Sequence, residues 1–256
     1  MWAPLRILTR AAFRDRISLF WSVLFPVGLL AGLGIAFPDP GYRQLLLIGV
    51  MVFSAVSFAA MGTAFVVMAQ RRQGVYKLLR ATPYRTAAFV ANLAAARGLV
   101  TLASVALVAA AGAVGFGIPL APAAVLRMVP GLALGILCCT LIGFVVGNLA
   151  GSEPQVSMIN NLIFLPMFFA SEMFYRLDGA PAWVRAVSRL LPVQHLVTAL
   201  RSAVSGDGTG MLPALAALLV WTGVALGLAV ATFRWDPDGP VVTLPRPGRA
   251  RAVAGG

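Results

Sequence analysis

Residues 45–69 read LLLIGVMVFSAVSFAAMGTAFVVMA, a run without one charged side chain. A bilayer core about 30 Å thick takes about 20 apolar residues per helical crossing. Within lipid every backbone N–H and C=O must be paired inside its own segment or around a closed barrel. The run shows no in/out alternation and far exceeds the roughly 10 residues of a barrel strand. It predicts a membrane-spanning helix.

Five further stretches of the same kind lie outward from it, giving spans at 17–37, 45–69, 98–118, 128–149, 156–174 and 211–233. Hydrophobic residues make up 60% of the chain and charged ones 11%, against about 25% charged in a soluble domain. The expected fold is an all-α membrane protein with six transmembrane helices. Pro38, Asp39, Pro40 and Gly41 make a tight first turn, and Gly117 to Pro122 a short third one. No internal repeat is evident.

Residues 1–16 carry Arg6, Arg10 and Arg14 at helical spacing, with Trp2, Leu5, Leu8 and Ala12 elsewhere around the wheel. That pattern predicts an N-terminal helix lying in the headgroup plane. The apolar run after it is longer than a signal-peptide core and has no small-x-small cleavage site, which argues against a leader. The net charge of +12 sits beside hydrophobic spans rather than in a free basic arm. Anionic membrane lipid is therefore the expected partner, and nucleic acid is not.

Orientation follows from counting Lys and Arg near span ends. With the N-terminus inside, the cytoplasmic side takes Arg6, Arg10, Arg14 and Arg16, then Arg71, Arg72, Lys77, Arg80, Arg85 and Arg97, then Arg234, Arg246, Arg249 and Arg251. The other side keeps Arg43, Arg127, Arg176, Arg185, Arg189 and Arg201. Both termini are thus cytoplasmic. The external connection 175–210 holds Trp183, Val184, Val187, Leu190 and Leu191, then Leu196, Val197 and Leu200 after Pro192. It predicts two short amphipathic helices broken at the proline, lying on the outer face or dipping into it. The Pro-, Gly- and Arg-rich tail 234–256 reads as disordered and cytoplasmic.

Catalytic options are few. One histidine, His195, cannot form a His-pair metal motif, and Cys138 and Cys139 are adjacent and cannot staple distant segments. They read as small packing residues. The single lysine, Lys77, does not follow a phosphate-binding glycine loop, so nucleotide hydrolysis must come from elsewhere.

The connection 70–97 carries six basic and no acidic side chains. Gly74 interrupts the preceding span, Val75, Leu78 and Leu79 mark one face of a short helix, and Lys77 and Arg80 point away from it. Thr82 and Pro83 read as the N-cap and first residue of the next helix. A loop that only fixes topology explains the charges but not the apolar face. That face suits a cytoplasmic partner and the lipid surface equally.

The run Gln70-Arg71-Arg72-Gln73-Gly74-Val75-Tyr76-Lys77-Leu78-Leu79-Arg80-Ala81-Thr82-Pro83 resembles the cytoplasmic loop of ABC-2 type transporter permeases, the membrane subunits of many bacterial drug and polysaccharide exporters. Gln70 stands where that family has an acid, and Val75 where it has a threonine. A second stretch is similar to the family's fifth span and outer helices: Leu165 to Ser171, Phe174, Pro181-Ala182-Trp183, Leu191-Pro192 and Leu200-Arg201. Glu172 replaces the customary glycine there. The ordered combination covers nearly the whole chain.

The resemblance implies a six-span domain over 17–233 in the bacterial inner membrane, working as a homodimer or paired permease with a separate ATP-binding-cassette ATPase subunit. ATP and Mg belong to that partner, and this chain binds no cofactor and is not itself an enzyme. The loop becomes the coupling helix. Leu78 and Leu79 are its buried contacts, Lys77 and Arg80 meet an acidic rim, and Arg71, Arg72, Gly74, Val75, Thr82 and Pro83 complete the element. Export of a hydrophobic drug, lipid or glycolipid is the implied activity, with multidrug efflux and antibiotic resistance as its setting.

Asn160 and Asn161 in the fifth span, near Phe164, Met167, Phe168 and Ser171, are costly in hydrocarbon unless paired. Either a hydrogen bond at the dimer seam or a translocation cavity accounts for them. Glu153 reads as the first residue of a helix, favoured by the macrodipole, with ATPase contact as the alternative. Glu172 sits at the outer end of span five, within reach of solvent or Arg176. Arg97 would cost about 2.5–3.5 kcal/mol in the hydrocarbon, which favours a third span beginning at Gly98. His195 reads as a structural hydrogen bonder. An ion-coupled carrier is the rival function, but no Asp or Glu falls mid-span; a membrane-embedded enzyme would need a His or acidic cluster that the chain lacks.

Overall fold

The computed structural model describes residues 24–75, 86–206 and 208–233, the side chains of 86–90 excepted. Every regular element among these residues is a helix. α1 is Phe25–Ala36, α2 runs Pro40–Arg72, α3 is Thr86–Phe116, α4 is Pro122–Leu149 and α5 is Glu153–Ala170. Two short helices, α6 (Ala182–Leu190) and α7 (Pro192–Ser205), precede α8 (Met211–Thr232).

Prolines set several of the starts. Asp39 accepts the Tyr42 N–H at 2.7 Å while Pro40 supplies a first residue whose missing N–H would have had no helical partner. Pro122 and Pro192 open α4 and α7 in the same way, and Glu153-Pro154 opens α5. Gly206 closes α7 with φ +76°, a left-handed cap that a Cβ would strain.

Four helices among the described residues are long and apolar enough to cross a membrane: α2, the 91–116 part of α3, α4 and α8. The described part of the first expected span, α1, has 12 residues. α5 has 18, but Glu153, Gln155, Asn160 and Asn161 dilute it. The turns at Pro38–Gly41 and Gly117–Pro122, and the break at Pro192, fall where the sequence places them. The expected N-terminal helix 1–16 and tail 234–256, and Lys77, Leu78, Leu79, Arg80, Thr82 and Pro83, lie outside the described residues.

α4 is the spine of the bundle. Gly131, Gly135, Cys139, Gly143 and Gly147 recur every fourth residue and form one small-residue edge. One half of that edge receives α7: a methyl group at Gly131 would stand 3.1 Å from Ala199 Cβ, and one at Gly135 would press on Leu196. The other half receives α2, where added methyl groups at Gly143 and Gly147 would strike the carbonyl oxygens of Ala60 and Ala64. Lipid tails give helices no hydrophobic drive to associate, so close backbone approach supplies the attraction. Cys138 and Cys139 are buried and unpaired with each other, consistent with packing residues.

The opposite faces carry lipid-type surface. Leu212, Leu219, Val220 and Val230 of α8 and Leu162 and Phe169 of α5 are all more than half exposed, a distribution that a soluble monomer rarely tolerates. α7 differs from a surface helix. Val193, Leu196, Val197, Leu200 and Ala203 are buried in the main core, so α7 dips into the bundle.

Candidate functional site

At one end of the bundle α2 finishes beside the last turn of α4. Arg71 is buried, and its guanidinium donates to the carbonyl oxygens of Asn148 and Ala150. Those are C-terminal carbonyls that a helix leaves unsatisfied, at the negative end of its dipole. A cation there caps the helix and also ties α2 to the turn that begins α5 with the exposed Glu153. Arg71 is therefore committed inside the fold, whereas Arg72 next to it is exposed.

Gly74 follows with φ +73°, the left-handed conformation that turns the chain sharply away. Val75 comes back onto the cluster of Val67, Leu93, Leu141, Phe144, Ala225 and Ala229. Replacing Arg71 by Ala is expected to cost about 1.5–3 kcal/mol, the worth of hydrogen bonds from a charged donor. Arg72→Ala should stay within about 0.5 kcal/mol, and thermal melting of the two variants in detergent checks the difference.

The middle of the bundle holds the candidate path residues. Asn160 is fully buried, and neither atom of its amide has a hydrogen-bond partner among the described residues. Val156, Asn160 and Phe164 share the inward edge of α5, while Asn161 faces outward. The Ser171 hydroxyl, also buried, is likewise unpartnered. Phe168 packs against Phe164 and against Phe53 of α2, with ring centroids 5.2 Å apart for the second pair, and Phe53 in turn touches Phe25 and Phe174. Met167 borders the same core. Phe25 and Phe53 escape a sequence reading because nothing in an apolar run distinguishes the aromatic that faces another span.

Arg97 is buried inside the bundle, within one continuous helix whose apolar stretch runs 91–116, so protein rather than solvent surrounds its charge. Its Nη2 donates to the Phe58 carbonyl at 2.8 Å and its Nε to Thr63 Oγ1 at 3.2 Å, while the guanidinium carbon stands 4.1 Å from the centroid of the Phe58 ring. The reason is local. α2 widens into a π-helical turn at Ser57–Gly62, and such a turn lets a foreign side chain reach the backbone ladder. Gly62 leaves the space: a Cβ there would overlap Arg97 Nη2.

At the opposite end Glu172 is held by Arg201, not by Arg176 as proximity in sequence suggests. Arg201 Nη1 lies 2.6 Å from Glu172 Oε2 and Nη2 reaches the Glu172 carbonyl. The second carboxylate oxygen accepts the Leu177 N–H at 3.0 Å, and the Glu172 N–H donates to Gln194 Oε1 at 2.8 Å. Burial pulls the Arg201 pKa down and the adjoining Glu172 carboxylate pushes it back up. This network fastens the end of α5 to α7. His195 Nε2 is 2.9 Å from the Arg189 carbonyl oxygen, consistent with a structural role.

A helical bundle with lipid-type outer faces, close-packed glycine seams and a cationic clamp at one end is that of a multi-pass membrane protein. The chain belongs to the ABC-2 type transporter family, whose model matches residues 2–205, from the N-terminal segment to the end of α7. Members are membrane domains of transporters that typically work with an ATP-binding subunit. No curated protein matches the chain.

Proposed function

We propose that this chain is the permease subunit of an ATP-driven exporter in the bacterial inner membrane. Six spans over 17–233 with both termini cytoplasmic form half of a homodimer or paired permease, and a separate ATPase subunit holds ATP and Mg. The element 74–83 is the coupling helix: Leu78 and Leu79 enter a groove on the ATPase, and Lys77 and Arg80 meet its acidic rim. Cargo is a hydrophobic drug, lipid or glycolipid, and drug cargo would make the protein an efflux and resistance determinant. Asn160, Asn161 and the neighbouring Phe and Met side chains line the path or the seam between permeases.

The observation that carries this reading is the Arg71 clamp. α2 runs 33 residues without interruption into the basic loop, and Arg71 joins its end to the end of α4. A push on the loop therefore moves two long helices and the start of α5 together. The test is co-purification with an ATPase subunit encoded beside this chain. Burying two leucines supplies about 1.5–3 kcal/mol each, so Leu78→Asp with Leu79→Asp should lower binding at least about tenfold. Full retention of the partner by the double variant would overturn the assigned contact.

A further inference from the structure

We propose that the polar cavity beneath α6 binds the headgroup of a zwitterionic, amine-bearing phospholipid. The cavity has a volume of about 270 Å³ and is lined by Glu172, Leu177, Asp178, Arg185, Ser188, Arg189 and Gln194. That is below the roughly 300–1,000 Å³ of drug-sized pockets. It holds a headgroup rather than a whole amphiphile.

Its chemistry has two poles. Arg185 and Arg189 stand one turn apart on α6, with Ser188 between them. Ser188 is 3% exposed and lines the cavity. Two guanidinium groups and a hydroxyl are the donor set that phosphate oxygens take up. Of the two acids, Glu172 already accepts from Arg201 and the Leu177 N–H. Asp178 is exposed and lines the same cavity, leaving one carboxylate for an ammonium group.

The remaining surface of α6 says what the headgroup is attached to. Trp183, Val187 and Leu190 share an edge turned away from the cavity, and Trp183 and Leu190 are 70% and 69% exposed. Tyr175 adds a further exposed aromatic. A helix with one strongly apolar edge bearing Trp and one cationic edge rests in the membrane interface. α6 then rests at the level of the lipid headgroups, and the cavity on its other edge opens at that depth. The inference does not depend on which cargo is exported.

Native mass spectrometry of the full chain, released from micelles with equal phosphatidylethanolamine and phosphatidylglycerol, tests it. The wild-type chain should retain phosphatidylethanolamine in preference. Arg185→Gln with Arg189→Gln should retain it at least about tenfold less, the loss of one to two charge-assisted contacts, while Arg72→Gln at the far end retains it as wild type does. Ser188→Ala, a change that favours the helix, should lower retention severalfold and keeps the test open should the double variant not fold. Equal retention of the two lipids, unchanged retention in the variants, or displacement by millimolar inorganic phosphate would each overturn the assignment.

Discussion

Gly143→Leu is expected to cost this protein its folded bundle, a loss above about 3 kcal/mol. The position faces backbone: even a Cβ at Gly143 would overlap the Ala60 carbonyl oxygen, and the same is true one turn on at Gly147 against Ala64. Backbone cannot rotate aside as a side chain can, so α2 and α4 must separate along the seam. Overpacking a core ordinarily costs about 1–3 kcal/mol; here the clash also forfeits the close approach that binds helices in lipid. Gly223→Leu and Gly227→Leu on α8 provide the contrast, because nothing lies within 4 Å of either position. Those variants should melt within a few degrees of wild type, and a Gly143→Leu protein that did the same would remove α4 from its role as spine.

The positions of the turns were readable because proline and aspartate act locally. Pro40, Pro122 and Pro192 begin helices for reasons contained in one or two residues, and the expected turns sit there. The small-residue edge of α4 was also present as an i+4 recurrence, yet it carries no charge and hides among apolar neighbours. What it packs against, α7 on one half and α2 on the other, is set by tertiary contact alone. Glu172 illustrates the same limit for polar residues: its partner Arg201 is 29 positions away, while Arg176 is near only in sequence. The core burial of α7 was half visible in Leu196, Val197 and Leu200, since an amphipathic pattern shows which edge is apolar but not whether lipid or protein covers it. Of the residues expected to form a coupling element, Arg71, Arg72, Gly74, Val75 and Glu153 have described surroundings, and Arg71 is an internal clamp in the structure.

The partners of Arg97 were not legible in the sequence, because insertion costs are assigned to a helix in isolation and these partners lie in another helix. The guanidinium takes the Phe58 carbonyl, the Thr63 hydroxyl and the face of the Phe58 ring. Truncating it should hurt for two reasons, the orphaned acceptors and the void, together about 2–5 kcal/mol for Arg97→Ala. Arg97→Met should behave differently. It fills much of the volume and removes a desolvated charge, a replacement that is often neutral in stability. Gly62 supplies the cross-check, since its missing Cβ makes the space that Nη2 occupies. Gly62→Ala should destabilise the wild-type background, and its cost should shrink by at least about 1 kcal/mol when residue 97 is Met, because contacting positions couple on that scale. Thermal unfolding of the four proteins in one detergent gives the cycle. Additive effects would mean that the π-turn of α2 is not shaped around the guanidinium, whereas a stable Arg97→Met protein that no longer transports would show the charge to be kept for the working cycle rather than for the fold.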